Sequence, residues 1–296
     1  MTAVRLLVTG ASGQVGRAVD VQARREGYQV LAPSRQECNL ADAHRLQAYL
    51  ETNPCEAIIN CGAYTAVDRA QSEPALANRI NHAAAAQLAR HANACGIPLV
   101  QVSTDYVFDG LKPTAYTEVD AASPLGIYGA SKWAAERALS ASGARYAVVR
   151  SAWIISPDGA NFMNTMLRLA QERPTVSVVD DQFGCPTAAA DLAAALLMIT
   201  EALLVTDLPS GIWHFVNSGR ASWYELAQYI FLRAAENGRQ VPRLYPIMTA
   251  DYPTAAARPA NSELSTLKFQ RDFGSVRDWH AAMDDVLSAR LGRIDA

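Results

Sequence analysis

The chain has 296 residues, half of them hydrophobic and 19% charged, enough apolar material for a globular core and, by length, for about two domains. A formal net charge of −3 with no basic run excludes a non-specific binder of nucleic acid or anionic membrane. The amino terminus runs straight into a strand and no apolar stretch reaches membrane-spanning length, so the expected location is the cytoplasm.

Residues 4–9 (Val-Arg-Leu-Leu-Val-Thr) form an apolar run suited to a parallel strand buried on both faces. It ends in Gly10-Ala11-Ser12-Gly13-Gln14-Val15-Gly16, and 17–26 has helical character up to a stop at Gly27. Strand, glycine-rich turn and helix in that order are the context for binding a dinucleotide pyrophosphate: the glycines let the backbone approach, and the helix start offers free N–H groups. The second strand is expected over 28–32. Where an acid would hold the adenosine ribose, the chain has Pro33-Ser34-Arg35, and a hydroxyl beside a guanidinium suits a 2′-phosphate better. The expected cofactor is therefore NADPH, with NADH as the alternative. Asn39-Leu40 in the next loop is placed near the adenine.

A third strand over 56–60 runs into Ala63-Tyr64-Thr65-Ala66-Val67-Asp68, where small residues leave room for a cofactor. A long alanine-rich helix over 75–95 closes at Gly96, and 98–102 is the fourth strand. It delivers Ser103-Thr104-Asp105 at its carboxyl end. Tyr128 and Lys132 follow, four apart and so on one face of a helix reaching about residue 142. A phenol beside an ammonium makes a proton donor tuned toward neutral pH. With eleven tyrosines and three lysines, a chance Tyr-x-x-x-Lys arises in about one such chain in nine, so the pair counts only with its context. A fifth strand over 146–150 completes an alternation of strand and helix, the pattern of a Rossmann-like, doubly wound α/β fold with a parallel sheet.

Beyond residue 156 the alternation weakens and prolines become more frequent. The expected division is a cofactor-binding domain over 1–155, with 188–216 returning to it, and a smaller substrate-binding domain over 156–187 and 217–296. Within the second part, helices are expected over 161–173, 188–204 and 222–237, and a strand over 175–179. Ser222 and Glu225 stand at capping-box spacing, with Trp223, Leu226, Ile230 and Leu232 as core residues behind them. Asp180-Asp181 reads as a loop rather than a catalytic pair. Arg258, with Asn261 and Ser262 after it, offers donors to a diphosphate; Ser262 also fits as the cap of a helix over 263–269. The five cysteines, without Cys-x-x-Cys spacing, read as buried small residues in a reduced compartment. The five histidines read as surface or capping residues, and no metal site is expected.

Taken together, the blocks resemble one family. The GxxGxxG spacing is that of short-chain dehydrogenase/reductases. With Ala63-Tyr64-Thr65-Ala66-Val67-Asp68, Ser103 to Phe108, Tyr128-Gly-x-x-Lys132, Arg150-Ser-x-Trp153, Asn161-Phe162, Asp181 to Thr187 and Arg258-Pro-x-Asn-Ser262, the chain resembles the dTDP-4-dehydrorhamnose reductases nearly end to end. These are extended short-chain enzymes acting on nucleotide sugars.

The resemblance implies that Tyr128 donates a proton to the carbon-4 oxygen of a dTDP-sugar while the nicotinamide delivers hydride. Lys132 would lower the Tyr128 pKa and hold the nicotinamide ribose, and Thr104 would bond the reacting oxygen or the Tyr128 hydroxyl. Cofactor contacts on this reading are Gly10, Gly13, Gln14, Val15, Gly16, Ser34, Arg35, Asn39, Leu40, Ala63, Tyr64, Thr65, Val102, Tyr128 and Lys132. Val67, Thr104, Asp105, Trp153, Asn161, Gln182, Arg258 and Ser262 would face the substrate. Some relatives dimerise through magnesium held by glutamates near the carboxyl terminus. This chain has no glutamate after Glu263, so a monomer or a metal-free homodimer is expected. Two other functions compete: reduction of a neighbouring 4-keto-deoxysugar, such as one giving 6-deoxy-L-talose, and a non-catalytic dinucleotide-binding regulatory subunit like the relative that serves methionine adenosyltransferase.

Overall fold

The computed structural model describes residues 3–292, so the outermost ends of the expected division, 1–2 and 293–296, lie outside the described residues. Five apolar runs form parallel strands: β1 (Arg5–Thr9), β2 (Gln29–Leu31), β3 (Ala57–Asn60), β4 (Leu99–Thr104) and β5 (Tyr146–Ser151). Beyond β6 (Thr175–Val179), strand β7 (Gly211–His214) returns to pair in parallel with β5. The sheet order is β7-β5-β4-β3-β1-β2. Because β2 and β3 flank β1 on opposite sides, the chain changes direction at β1/β3, and a crevice opens at the strands' carboxyl ends there.

Helices cover both faces, which is why the central strands need no polar alternation. On one face α1 (Gln14–Arg25) packs Val15, Val19 and Ala23 against Leu192, Leu196, Ile199 and Leu203, which belong to α6 (Ala189–Val205). On the other, Leu46 and Leu50 of α2 (Ala43–Thr52) meet Leu88 of α3 (Ala84–Cys95) and Leu139 of α4 (Ile127–Ser140). Each such leucine, taken fully out of water, contributes roughly 1.5–3 kcal/mol.

A separate core gathers Met163 and Leu167 of α5 (Phe162–Glu172), Val176 and Val178 of β6, and Leu226 and Ile230 of α7 (Trp223–Glu236). Strand β8 (Arg243–Ile247) pairs in parallel with β6, α8 (Leu267–Phe273) follows, and α9 (Trp279–Leu291) closes this core with Met283 and Leu287.

Several local expectations are corrected. The helix placed at 263–269 starts at Leu267, because 262–265 runs extended: Ser262 N–H donates to Phe183 O, and Tyr116 exchanges backbone bonds with Glu263 and Ser265. The helix expected over 75–95 is interrupted by a π-helical turn, Arg79–Ala83. Ser222 and Glu225 do form the reciprocal capping box, but Leu232 is on the solvent face. His214 is fully buried rather than a surface group. Cys38 and Cys185 are buried, Cys55 and Cys61 half-buried, and Cys95 is exposed. Among the described residues no helix is long and apolar enough to cross a membrane.

Candidate active site

A cleft of ≈ 760 Å³ opens along the carboxyl ends of β1, β3, β4 and β5. It begins at the turn after β1. Gly10 has φ +67°, and a Cβ there would stand 2.6 Å from the Gly62 Cα, so only glycine closes this turn against the loop after β3. α1 starts with no side-chain cap and no acid in its first turn, leaving amide donors at its amino end for an anion. Uncapped amides, a bare glycine backbone and the width of the cleft fit a dinucleotide.

Gly13, Gln14, Val15, Gly16, Arg35, Asn39, Leu40, Ala63, Thr65 and Val102 line the cleft with Gly10. Ser34 and Tyr64 do not. The Ser34 N–H donates to Glu37 Oε2 (2.8 Å), and the Glu37 N–H reaches back to Ser34 Oγ (3.4 Å), so a carboxylate absent from the strand end itself lies three residues on. The Tyr64 hydroxyl donates to Glu73 Oε2 (2.6 Å). Its backbone is clasped by Asn81 from the π-helical turn, which accepts from Tyr64 N–H (2.7 Å) and donates to Tyr64 O (3.1 Å) and Ser131 Oγ (2.9 Å). The bulge thus ties the loop after β3 to α4.

Thr104, Tyr128 and Lys132 all line the same cleft. Thr104 is the last residue of β4, while Tyr128 and Lys132 stand on the first two turns of α4. Lys132 is buried, and its Nζ donates to Val102 O (2.6 Å). Burial pushes its pKa down to about 8, against the pull of Glu136 and then Cys61. Tyr128 does not have the lowered pKa expected of it. In the free protein burial raises it to about 12, a hydrogen bond with Thr104 draws it part of the way back, and Asp105 adds to the rise. The Tyr106 ring braces it edge to face at 5.8 Å.

Asp105 is 3% exposed. Its Oδ1 accepts from Thr104 Oγ1 (3.0 Å), and Oδ2 has no hydrogen-bond partner. Burial lifts this carboxyl to about 6, and the nearby Ser262 and Thr104 hydroxyls offset only part of that. Ser151, across from Thr104 in the β4–β5 register, also lines the cleft with an unpartnered, buried Oγ.

Val67, Trp153 and Asn161 complete the expected lining. Trp153 has φ 45°, the left-handed region that a bulky side chain enters at a cost of about 1–3 kcal/mol. Its ring stacks on Trp223 at 3.5 Å between centroids, and a Cβ on Gly184 would come within 2.5 Å of it. Trp223, expected in the core, therefore lines the cleft. Asn161 caps α5 through Oδ1, and its Nδ2 donates to Gln14 Oε1 (2.9 Å), bridging the glycine turn to the second core.

Gln182, Arg258 and Ser262 stand outside the lining. Gln182 donates to Thr249 Oγ1 (3.0 Å). Arg258 grips Asp68 (Nη2–Oδ2 2.8 Å) and stands behind Tyr106, so its charge is already matched. The Ser262 hydroxyl donates to Phe183 O (3.3 Å). Sequence reasoning missed Asn81, Ser151 and Trp223. Only Trp223 had a visible signal, an aromatic just after a helix cap. Among the described residues no cluster of three or more His, Cys, Asp or Glu could hold a metal ion.

Comparison with known proteins bears on the same site. The family model described as the RmlD substrate binding domain matches residues 4–291. The dTDP-4-dehydrorhamnose reductase of Sinorhizobium fredii is 39% identical over 292 residues, covering 97% of this chain and 98% of the relative. Among solved structures, the dTDP-4-dehydrorhamnose reductase of Bacillus anthracis in complex with NADP superposes with a TM-score of 0.90 at 32% identity, over 96% of this chain and 99% of that one. The Clostridium acetobutylicum enzyme superposes at 0.89, also at 32% identity, over 96% and 98%. A glycine-cradled cleft holding a threonine, a tyrosine and a lysine, in a chain aligned end to end with these enzymes, makes this protein a member of the dTDP-4-dehydrorhamnose reductase family.

Proposed function

We propose that the chain reduces the 4-keto group of dTDP-4-dehydro-L-rhamnose to give dTDP-L-rhamnose, with NADPH as reductant and Tyr128 as proton donor. The observation that carries this reading is the convergence of Thr104, Tyr128 and Lys132 on the one cleft that starts at the Gly10 turn. The bound nicotinamide supplies hydride to carbon 4.

The protein's part is to meet the charge that then develops on the carbon-4 oxygen. Tyr128, lifted to about 12, holds its proton throughout the neutral range, as a donor for reduction must. The Thr104 hydroxyl, fixed by the Tyr106 N–H (3.2 Å), is a second polar group beside the same oxygen. A charged Lys132 favours the phenolate that remains after transfer, so it acts on the product side of the step rather than on the resting phenol. Arg35, exposed and part of the cleft lining, suits the 2′-phosphate of NADPH. The NADP held by the Bacillus anthracis relative supports that preference.

The test is cofactor oxidation, followed spectrophotometrically, with a panel of dTDP- and UDP-4-keto sugars and each cofactor. Tyr128→Phe is expected to lose ~10²–10⁴-fold in kcat while still binding NADPH. Undiminished turnover by Tyr128→Phe would remove the proposed mechanism. A stronger response to another 4-keto sugar would reassign the substrate.

A further inference from the structure

Beneath the cleft lies a buried ion pair, Glu136 with Arg150, that the proposed chemistry does not use. Lys132 and Glu136 are four apart on α4 and share one face of it. While Lys132 Nζ bonds Val102 O, Glu136 Oε1 accepts from the hydroxyl of the very next residue, Ser103, at 2.5 Å. Two successive turns of the helix therefore hold two successive residues of β4. From β5, Arg150 donates to the same carboxylate, Nη2 to Oε2 at 2.6 Å and Nε to Oε1 at 3.0 Å. Glu136 is 4%, Arg150 3% and Lys132 3% exposed, so none of this is shielded by solvent.

The surroundings offer Lys132 little other negative charge. Just after β3 comes Cys61, whose thiol burial pushes up to about 12 and so keeps neutral. The π-helical turn faces α4 with the neutral Asn81. Its Arg79 is exposed and its His82 half-buried. β7 contributes His214, kept neutral by burial and by Arg150, with a pKa near 3. Tyr128 is a phenol, and Asp105 stands at the cleft end of β4 beside Thr104.

We infer that Glu136, held in place by Arg150 and Ser103, is a positioning residue for Lys132: it is the buried counter-charge that keeps the ammonium protonated and docked on the end of β4. The value of that to catalysis rests on the reductase reading above. The geometry itself does not.

Having only three lysines, Lys112, Lys132 and Lys268, the chain allows each side-chain nitrogen to be followed by NMR after ¹⁵N-lysine labelling. In the substrate-free protein the Lys132 resonance is expected to titrate near 8. Glu136→Gln should lower that midpoint by about one unit or more, and the alkaline limb of kcat/KM should move down with it. Arg150→Gln should move the midpoint the other way, because Lys132 then becomes the carboxylate's one remaining buried cation. A merely architectural pair would lower the melting temperature in both variants and shift the midpoint in neither. An unmoved Lys132 midpoint in whichever variant folds overturns the inference. Failure of every 4-keto sugar as a substrate would instead sink the reductase reading and leave the titration to decide this one.

Discussion

Two buried polar groups of residues sit one register step apart on β4 and β5, and they have opposite characters. Ser103 and Arg150 are paired in register, and with Glu136 they form a cluster in which the carboxylate, guanidinium and hydroxyl all meet protein partners. Thr104 and Ser151 are the next pair, and beside them Asp105 Oδ2 and Ser151 Oγ are buried without a hydrogen-bond partner. Buried polar atoms are normally satisfied, so the first cluster reads as architecture. The second reads as a surface completed by what enters the cleft. The difference lies in what each step of the strands faces. The Ser103 and Arg150 side chains bond Glu136 of α4, although Ser103 also touches the cleft wall, whereas Thr104 and Ser151 border the cleft.

That contrast predicts opposite signs of stability change. The largest effect should come from Glu136→Ala, which unlike glutamine gives Arg150 nothing to donate to. Leaving one member of a buried pair uncompensated typically costs about 3–5 kcal/mol, so chemical denaturation should show a loss of that order. A loss below about 1 kcal/mol would mean that water or another group replaces Glu136, and the architectural reading would fail.

Asp105→Asn should do the reverse. The folded carboxyl titrates near 6, above its ordinary value of 3.8. The folded state therefore holds the proton more tightly than the unfolded chain does. Stability contributed by the protonated form is complete below about pH 4 and is lost as pH rises through 6. At neutral pH the charged carboxylate opposes folding by on the order of 3 kcal/mol. The amide variant should be stabilised by about that much at pH 7 and hardly at all at pH 4, while kcat/KM falls at least ~10-fold. Denaturation curves at the two pH values decide it, and a destabilised variant at pH 7 would place Asp105 with the architectural cluster.

Why the two clusters were unequally legible in the sequence follows from the range of the interactions. The glycine turn, the strand–helix alternation and the Tyr128/Lys132 spacing are local patterns, and local patterns survive in one dimension. Glu136 on a helix looks like a solvated charge until Arg150, fourteen residues on, is brought beneath it. Arg258 shows its donors in the sequence, but Asp68, which takes them, is 190 residues away. Trp223 was assigned to the core because a helical aromatic usually belongs there; only the left-handed Trp153 turn brings the two rings into one stack at the cleft. His214 lies on a strand that crosses back to the sheet, so its burial depends on topology rather than on its neighbours in the chain. Asn81 acts through a π-helical turn within a helix that alanine periodicity presents as regular.

Ser151→Ala gives the smallest effect and the sharpest separation. Removing a buried hydroxyl that has no hydrogen-bond partner in the protein should leave the melting temperature nearly unchanged, with stability within about 0.5 kcal/mol of the original. If the hydroxyl is satisfied by the sugar nucleotide, losing one neutral hydrogen bond, worth about 0.5–1.5 kcal/mol, should raise KM roughly two- to tenfold with kcat little altered. Should the melting temperature fall by several degrees while KM stays constant, Ser151 would have a protein partner after all. The line between the two clusters would then run through Asp105 alone.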